Sequence, residues 1–79
     1  MTPTTLLDLL KLADARHAAR SGEARQLRID ANLSQAEVGA VCEVTPDAVS
    51  RWESGSRSPR GAPAVRYAQL LEALRAARR

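Results

Sequence analysis

Apolar residues along this chain recur at intervals of three and four positions and no segment carries a strand signal, so the pattern predicts helices throughout. Over residues 5–20, Leu6, Leu9, Leu10, Ala13 and His17 fall on one face, and Thr5 stands where it can cap the first turn, with Asp8 three positions on. The default expectation is that this face packs on the rest of the domain, with His17 a partly buried edge residue. Pairing with a second subunit is the alternative. Ser21 and Gly22 break the helix, and a second is expected from about Glu23 to Ala31, with Ala24, Leu27 and Ala31 toward the core and Asn32 as a left-handed cap. A last helix, from about Pro63 to Ala77, offers Val65, Leu70, Leu71 and Leu74 as apolar contacts.

Residues 33–55 read LSQAEVGAVCEVTPDAVSRWESG and hold two helix starts in quick succession. Ser34 and Glu37 form a capping box, which Leu33 and Val38 can close as a hydrophobic staple. At the second start Thr45 caps, Pro46 supplies the preset φ of a first helical position, and Val44 with Val49 repeats the staple. Helices are therefore expected at about Gln35–Val41 and Pro46–Ser54, with Gly55 closing the latter and only Cys42, Glu43 and Val44 between them. So short a connection fits the helix-turn-helix, in which one helix supports a second that lies in the major groove of DNA. SGSRSPRGAP, residues 54–63, is the one Gly/Pro/Ser-rich stretch and reads as a loop.

The spacing L-S-Q-x-E-V-x-x-x-x-x-V-T-x-x-x-V-S-R-W-E-S-G resembles, without insertion or deletion, the lambda-repressor-like (Cro, Xre type) helix-turn-helix proteins of phages and bacteria. Upstream, ARQLRIDANL (residues 24–33) looks like that family's first helix, and Arg57, Pro59 and Arg60 look like its basic loop, so the likeness covers roughly residues 22–75. It implies a compact all-α fold of five helices, the one at residues 5–20 being an addition, and it implies DNA binding. The family contains repressors, activators, antitoxins and recombination accessory factors. By the same resemblance Arg28 pairs with Glu53 while reaching a phosphate, against the plain reading of an exposed surface arginine, and Gln35 occupies the usual anchor position. Two residues depart from the pattern: Glu43 stands where the turn usually has Gly, and Gly39 where the supporting helix usually has Ala. A positive φ at Glu43 would store roughly 1 kcal/mol of strain, and Gly39 gives up ~1 kcal/mol of helix propensity.

At 79 residues there is room for one domain, residues 1–79, with one modest core. Phe is absent and only Trp52 and Tyr67 are aromatic, so the core falls to Leu, Val, Ile and the many alanines, a composition suited to closely approaching helices. Cys42 is the single cysteine. It has no disulfide partner, no second Cys or spaced His supplies a zinc site, and a reducing cytoplasm is the expected home. Asp8 and Lys11 interrupt the only leucine-rich run, so no signal or spanning segment is expected. The mixed charges of Asp8, Lys11 and Asp14 argue against a membrane-surface helix. Net charge is +3, unevenly placed: residues 51–79 carry seven arginines against Glu53 and Glu72, a balance of +5, and residues 1–50 a balance of −2. That basic half calls for a polyanion, since each phosphate contact releases counterions.

Within the recognition helix Val49, Trp52 and Ala48 share one side, and Pro46, Asp47, Ser50 and Arg51 the other, which faces the groove. Arg51 is the candidate for direct readout, because its fork matches the O6 and N7 acceptors of guanine. Asp47, one turn earlier, can accept from a cytosine amine, orient the Arg51 fork, or simply complement the helix dipole. Pro46 and Ser50 offer contacts of low information. Gln35 in the first turn of the supporting helix can hold a phosphate or a base edge. Arg28, Thr45, Ser56, Arg57 and Arg60 are the further phosphate candidates, and Tyr67 belongs either to the core or to a phosphate.

One His, one Cys and no clustered carboxylates or glycine-rich phosphate loop leave no nucleophile-base pair, so an enzyme is not expected, nor a cofactor, a metal or a small-molecule effector. The reading is a sequence-specific, double-stranded DNA-binding transcriptional regulator, a small phage or bacterial repressor that occludes a promoter. The competing class is an antitoxin or protein-interaction adaptor that uses the motif as scaffold. One recognition helix reads too few base pairs to find a site alone, so a homodimer on an inverted-repeat operator is expected. Its interface is either the last helix, through Leu70, Leu71 and Leu74, or the N-terminal one, through Leu6, Leu9, Leu10 and Ala13.

Overall fold

Short polar side chains set where the helices begin. The computed structural model describes residues 5–78, which form α1 (Leu6–Ser21), α2 (Glu23–Asp30), α3 (Gln35–Cys42), α4 (Pro46–Ser54) and α5 (Gly61–Ala77), with no strand among the described residues. Thr5 accepts from the Asp8 amide at 3.0 Å. Ser34 accepts from the Glu37 amide at 3.0 Å while the Glu37 carboxylate accepts from the Ser34 amide at 2.8 Å, completing the capping box. Thr45 accepts from the Ala48 amide at 3.1 Å, with Pro46 opening α4. α2, which follows Gly22, and α5 lack a side-chain cap, and α5 starts two residues before Pro63. Left-handed residues mark the turns: Gly22 after α1, Asn32 after α2, Glu43 after α3 and Gly55 after α4. Glu43 does take the positive φ, at 62°.

The helices close around one core centred on Leu27, Val38, Val49, Trp52, Tyr67 and Leu71, with Leu33, Val44, Leu70 and Leu74 packed on its edge. The Trp52 and Tyr67 rings meet tilted, with centroids 4.7 Å apart. The radius of gyration is 11.3 Å, close to the ~12 Å of a compact chain of this length. α1 packs chiefly on α5. The side chains it buries are Ala15, Ala18 and Ala19, and α5 buries Ala64 and Ala68. Small residues on both helices let the two axes approach closely.

That packing overturns the expected orientation of α1. Leu6, Leu9 and Leu10 are 74%, 52% and 59% exposed, and Ala13 and His17 are exposed beside them. The alanine side took the interior, where Ala15, Ala18 and Ala19 join the core to which Tyr67, Ala68 and Leu71 of α5 contribute, and the leucine side lies opposite. Polar links secure the same orientation: Arg75 forks onto Asp14 at 3.1 Å and onto Glu23 at 2.9 Å, tying α1 and the start of α2 to α5. Ala31 is also exposed, because it caps the end of α2 where the backbone turns out of the helix.

Candidate nucleic-acid interface

The connection from α3 to α4 is tight because its backbone comes into direct contact with α3. The Val44 amide donates to the Gly39 carbonyl at 2.9 Å and the Glu43 amide to the Ala40 carbonyl at 3.3 Å. A Cβ at Gly39 would lie 2.7 Å from the Val44 carbonyl oxygen and 3.3 Å from the Thr45 carbonyl carbon. Gly39 is therefore more than a propensity cost, since no side chain fits there without moving the turn. Glu43 carries the left-handed strain, and its carboxylate lies 3.3 Å from Arg66.

α4 divides as its pattern predicts. Val49 and Trp52 are buried and Ala48 half-buried, while Pro46, Asp47 and Arg51 are exposed and Ser50 is half-buried. Arg51 Nε donates to Asp47 at 2.8 Å. This bond engages the inner edge of the guanidinium and leaves both terminal nitrogens unoccupied by Asp47, a fork able to meet two acceptors of one base edge.

Beneath α4 lies a second arginine-carboxylate pair of a different kind. Arg28 donates through Nε and Nη2 to the two oxygens of Glu53 at 2.6 and 2.9 Å, and through Nη1 to the Leu33 carbonyl at 3.0 Å. Its side chain is 14% exposed and that of Glu53 only 4%, so Arg28 is not the exposed surface arginine of the alternative reading. The hydrogen bonds that Arg28 donates to Glu53 raise the guanidinium's pKa above its ordinary value. Glu53 also accepts from Gln35 Nε2 at 3.1 Å. Gln35, the first residue of α3, is thus held in place by a carboxylate of α4. Linear spacing carries no signal for that contact, which joins residues 18 positions apart.

The loop after α4 is pinned at both ends. Ser54 and Ser56 hydroxyls donate to the Arg51 carbonyl at 3.1 and 3.4 Å, and the Arg57 amide donates to it at 3.3 Å. Arg16 of α1 donates to the Pro59 carbonyl at 2.9 Å, and Pro59 is buried. Arg16 was not among the residues singled out by the motif, because it lies outside it and acts through a backbone group. Ser56, Arg57 and Arg60 remain exposed. Arg57 and Arg60 line one groove of about 410 Å³ with the apolar Val44, Ala48, Trp52 and Pro63. Thr45 is exposed, and its hydroxyl serves the helix cap.

Two residues lie apart from this surface. Tyr67 is buried in the core, which overturns a phosphate contact for it; burial raises the pKa of its hydroxyl, which has no hydrogen-bond partner among the described residues. Cys42 ends α3 fully buried, and burial pushes its thiol up to about 11. No helix of the described residues is long and apolar enough to cross a membrane.

No curated protein and no solved structure matches the chain. Residues 25–75 match the helix-turn-helix family model, which leaves α1 outside the matched segment and takes in α3, the strained turn and α4. With the capped pair of helices, the buried Arg28–Glu53 link and the basic loop in place, the chain belongs to the Cro/C1-type, Xre-like helix-turn-helix family of DNA-binding regulators.

Proposed function

We propose that this protein is a sequence-specific transcriptional regulator, a small repressor of phage or bacterial origin that occludes a promoter by occupying double-stranded DNA in the host cytoplasm. The observation that supports this reading most is the Arg51–Asp47 pair on the exposed side of α4. Asp47 holds Nε and presets the fork, so that Arg51 meets guanine O6 and N7 without first ordering a long side chain. Near phosphates a carboxylate adds no affinity. Asp47 acts instead against wrong bases and accepts from a cytosine amine when one is adjacent. Pro46 and Ser50 fill the remaining contact area. Gln35, aligned by Glu53, together with Arg28, Thr45, Ser56, Arg57 and Arg60, grips the backbone and sets the register without reading sequence. The protein binds as a homodimer on an inverted repeat, its half-sites roughly 34 Å apart so that both recognition helices meet one face of the duplex.

The test is selection of bound DNA from a random pool by the wild type and by Arg51→Ala. The variant is expected to lose about 1–3 kcal/mol on the preferred site and to relax preference at one position per half-site. Arg57→Ala should weaken all sequences alike and lower the salt slope by about 1. An unchanged selected motif in Arg51→Ala would move readout to other residues. Affinity that stays flat from low to physiological salt would replace the whole reading with the antitoxin or adaptor one.

A further inference from the structure

We propose that Leu6, Leu9, Leu10 and Ala13 of α1 form the surface on which two copies of this chain pair, antiparallel about a twofold axis passing between Leu9 and Leu10. The inference rests on the pairwise DNA-binding reading above for its biological purpose, and on the following geometry for the contact itself.

Leu6, Leu9, Leu10 and Ala13 follow the i, i+3, i+4, i+7 spacing of a helix face that seeks a partner. Yet α1 has already satisfied its own packing through the alanines on the other side. No charged residue interrupts the stripe between Leu6 and Ala13, since Asp8 and Lys11 project toward the half-buried side. With Leu7, itself 62% exposed, the four leucines leave on the order of 400 Å² of apolar surface, a size at which patches on monomers are usually functional.

The surroundings say what covers it. Leu7 and Leu10 form one wall of a groove of about 240 Å³ whose other wall is Ala68 and Glu72 of α5. The charges at its rim are already matched within the chain, Lys11 to Glu72 at 3.8 Å and Asp14 to Arg75 at 3.1 Å. Such a rim offers no net attraction to a polyanion or an anionic membrane, so the occupant is an apolar protein surface. The same stripe on a second copy supplies one of matching length. In an antiparallel pair centred between Leu9 and Leu10, each Leu6 lies over the small Ala13 of the other copy, and Leu9 lies over Leu10, so large side chains meet small ones at the ends of the contact.

The competing surface on α5 offers less open apolar area, since its leucines are buried or half-buried. Leu71 is buried, and Leu70 and Leu74 are packed on the core edge. Two such faces of about 400 Å² each remove roughly 800 Å² from water, below the range of stable specific interfaces and in that of weak, transient ones. Pairing in solution is therefore weak and concentration-dependent, and operator DNA, by holding two copies side by side, makes it effective.

Sedimentation of the full chain from micromolar to millimolar concentration is expected to show reversible doubling of mass. On dilution, the amide shifts that move should cluster at residues 6–17. Leu10→Glu, at an exposed position, should keep the wild-type melting temperature and remain a monomer throughout. On an inverted repeat it should bind each half-site separately, losing at least tenfold in cooperative affinity, while its selected half-site sequence stays unchanged. A wild type that is monomeric throughout, a Leu10→Glu variant that doubles as the wild type does, or dilution shifts clustered at residues 65–78 would each overturn the proposed interface. A protein that pairs through α1 but selects no DNA sequence would leave the interface standing and overturn the regulator reading instead.

Discussion

α1 and α4 are both opened by a threonine cap, yet they spend their side chains in opposite ways. α4 turns its large residues inward, Val49 and Trp52, and shows Asp47 and Arg51 to solvent. α1 turns alanines inward and shows leucines. The difference lies in the space each helix faces. α4 lies where the Trp52 indole can fill a gap up to the Tyr67 ring, whereas α1 packs chiefly on α5 and buries only Ala15, Ala18 and Ala19. Burial follows the space a helix faces more than the hydrophobicity of a residue, so similar side chains differ in worth from one helix to the other.

The sharpest way to break that comparison is one substitution made in two places. Leu71→Ala, in the core, should cost about 2–5 kcal/mol, enough to leave a domain of this size close to unfolded. Leu10→Ala, on the open face of α1, should stay within about 0.5 kcal/mol at dilutions where the chain is monomeric. Parallel urea titrations of the two variants decide it. Equal losses would mean that α1 buries its leucines in solution.

The second test concerns the other place where small size permits close approach, the contact of α3 with its turn. Gly39→Ala gains ~1 kcal/mol of helix propensity, but its methyl would lie 2.7 Å from the Val44 carbonyl oxygen, a backbone atom that cannot rotate away. Overpacking of about 1–3 kcal/mol wins, and a net loss near 1 kcal/mol should lower the melting temperature by about 4–8 °C. A variant that melts higher would show that the turn yields without strain.

The smallest expected effect is a gain. Glu43→Gly relieves the left-handed strain at φ 62° and gives up only the exposed ion pair with Arg66. The first is worth roughly 1 kcal/mol and the second a fraction of that, so thermal melting should rise by about 2–5 °C. No gain would place the worth of the Arg66 contact above that of an ordinary surface pair.

Much of the helix-turn-helix segment was legible in the residues themselves. Ser34 with Glu37, Thr45 with Pro46, and the left-handed exits at Asn32, Glu43 and Gly55 act over four residues or fewer, so their geometry follows from local stereochemistry whatever the rest of the chain does. The division of α4 was legible for a related reason, because its apolar and polar sides do not compete. The pairing of Arg28 with Glu53 came from the family resemblance, and the grip of Glu53 on Gln35 came from neither source.

By itself, then, the sequence determined where the helices start and stop, and which residues of α4 are available to a groove, since caps, turns and a single apolar side are short-range properties. Tertiary structure alone decided the rest. α1 carries two sides able to pack, one of leucines and one of alanines, and only its packing against the rest of the core, chiefly α5, selected between them. The Arg75 link to Asp14 and Glu23, the Arg16 hold on Pro59 and the Glu53 hold on Gln35 join residues far apart in the chain, and each exists only because closely packed helices bring those atoms within a hydrogen bond.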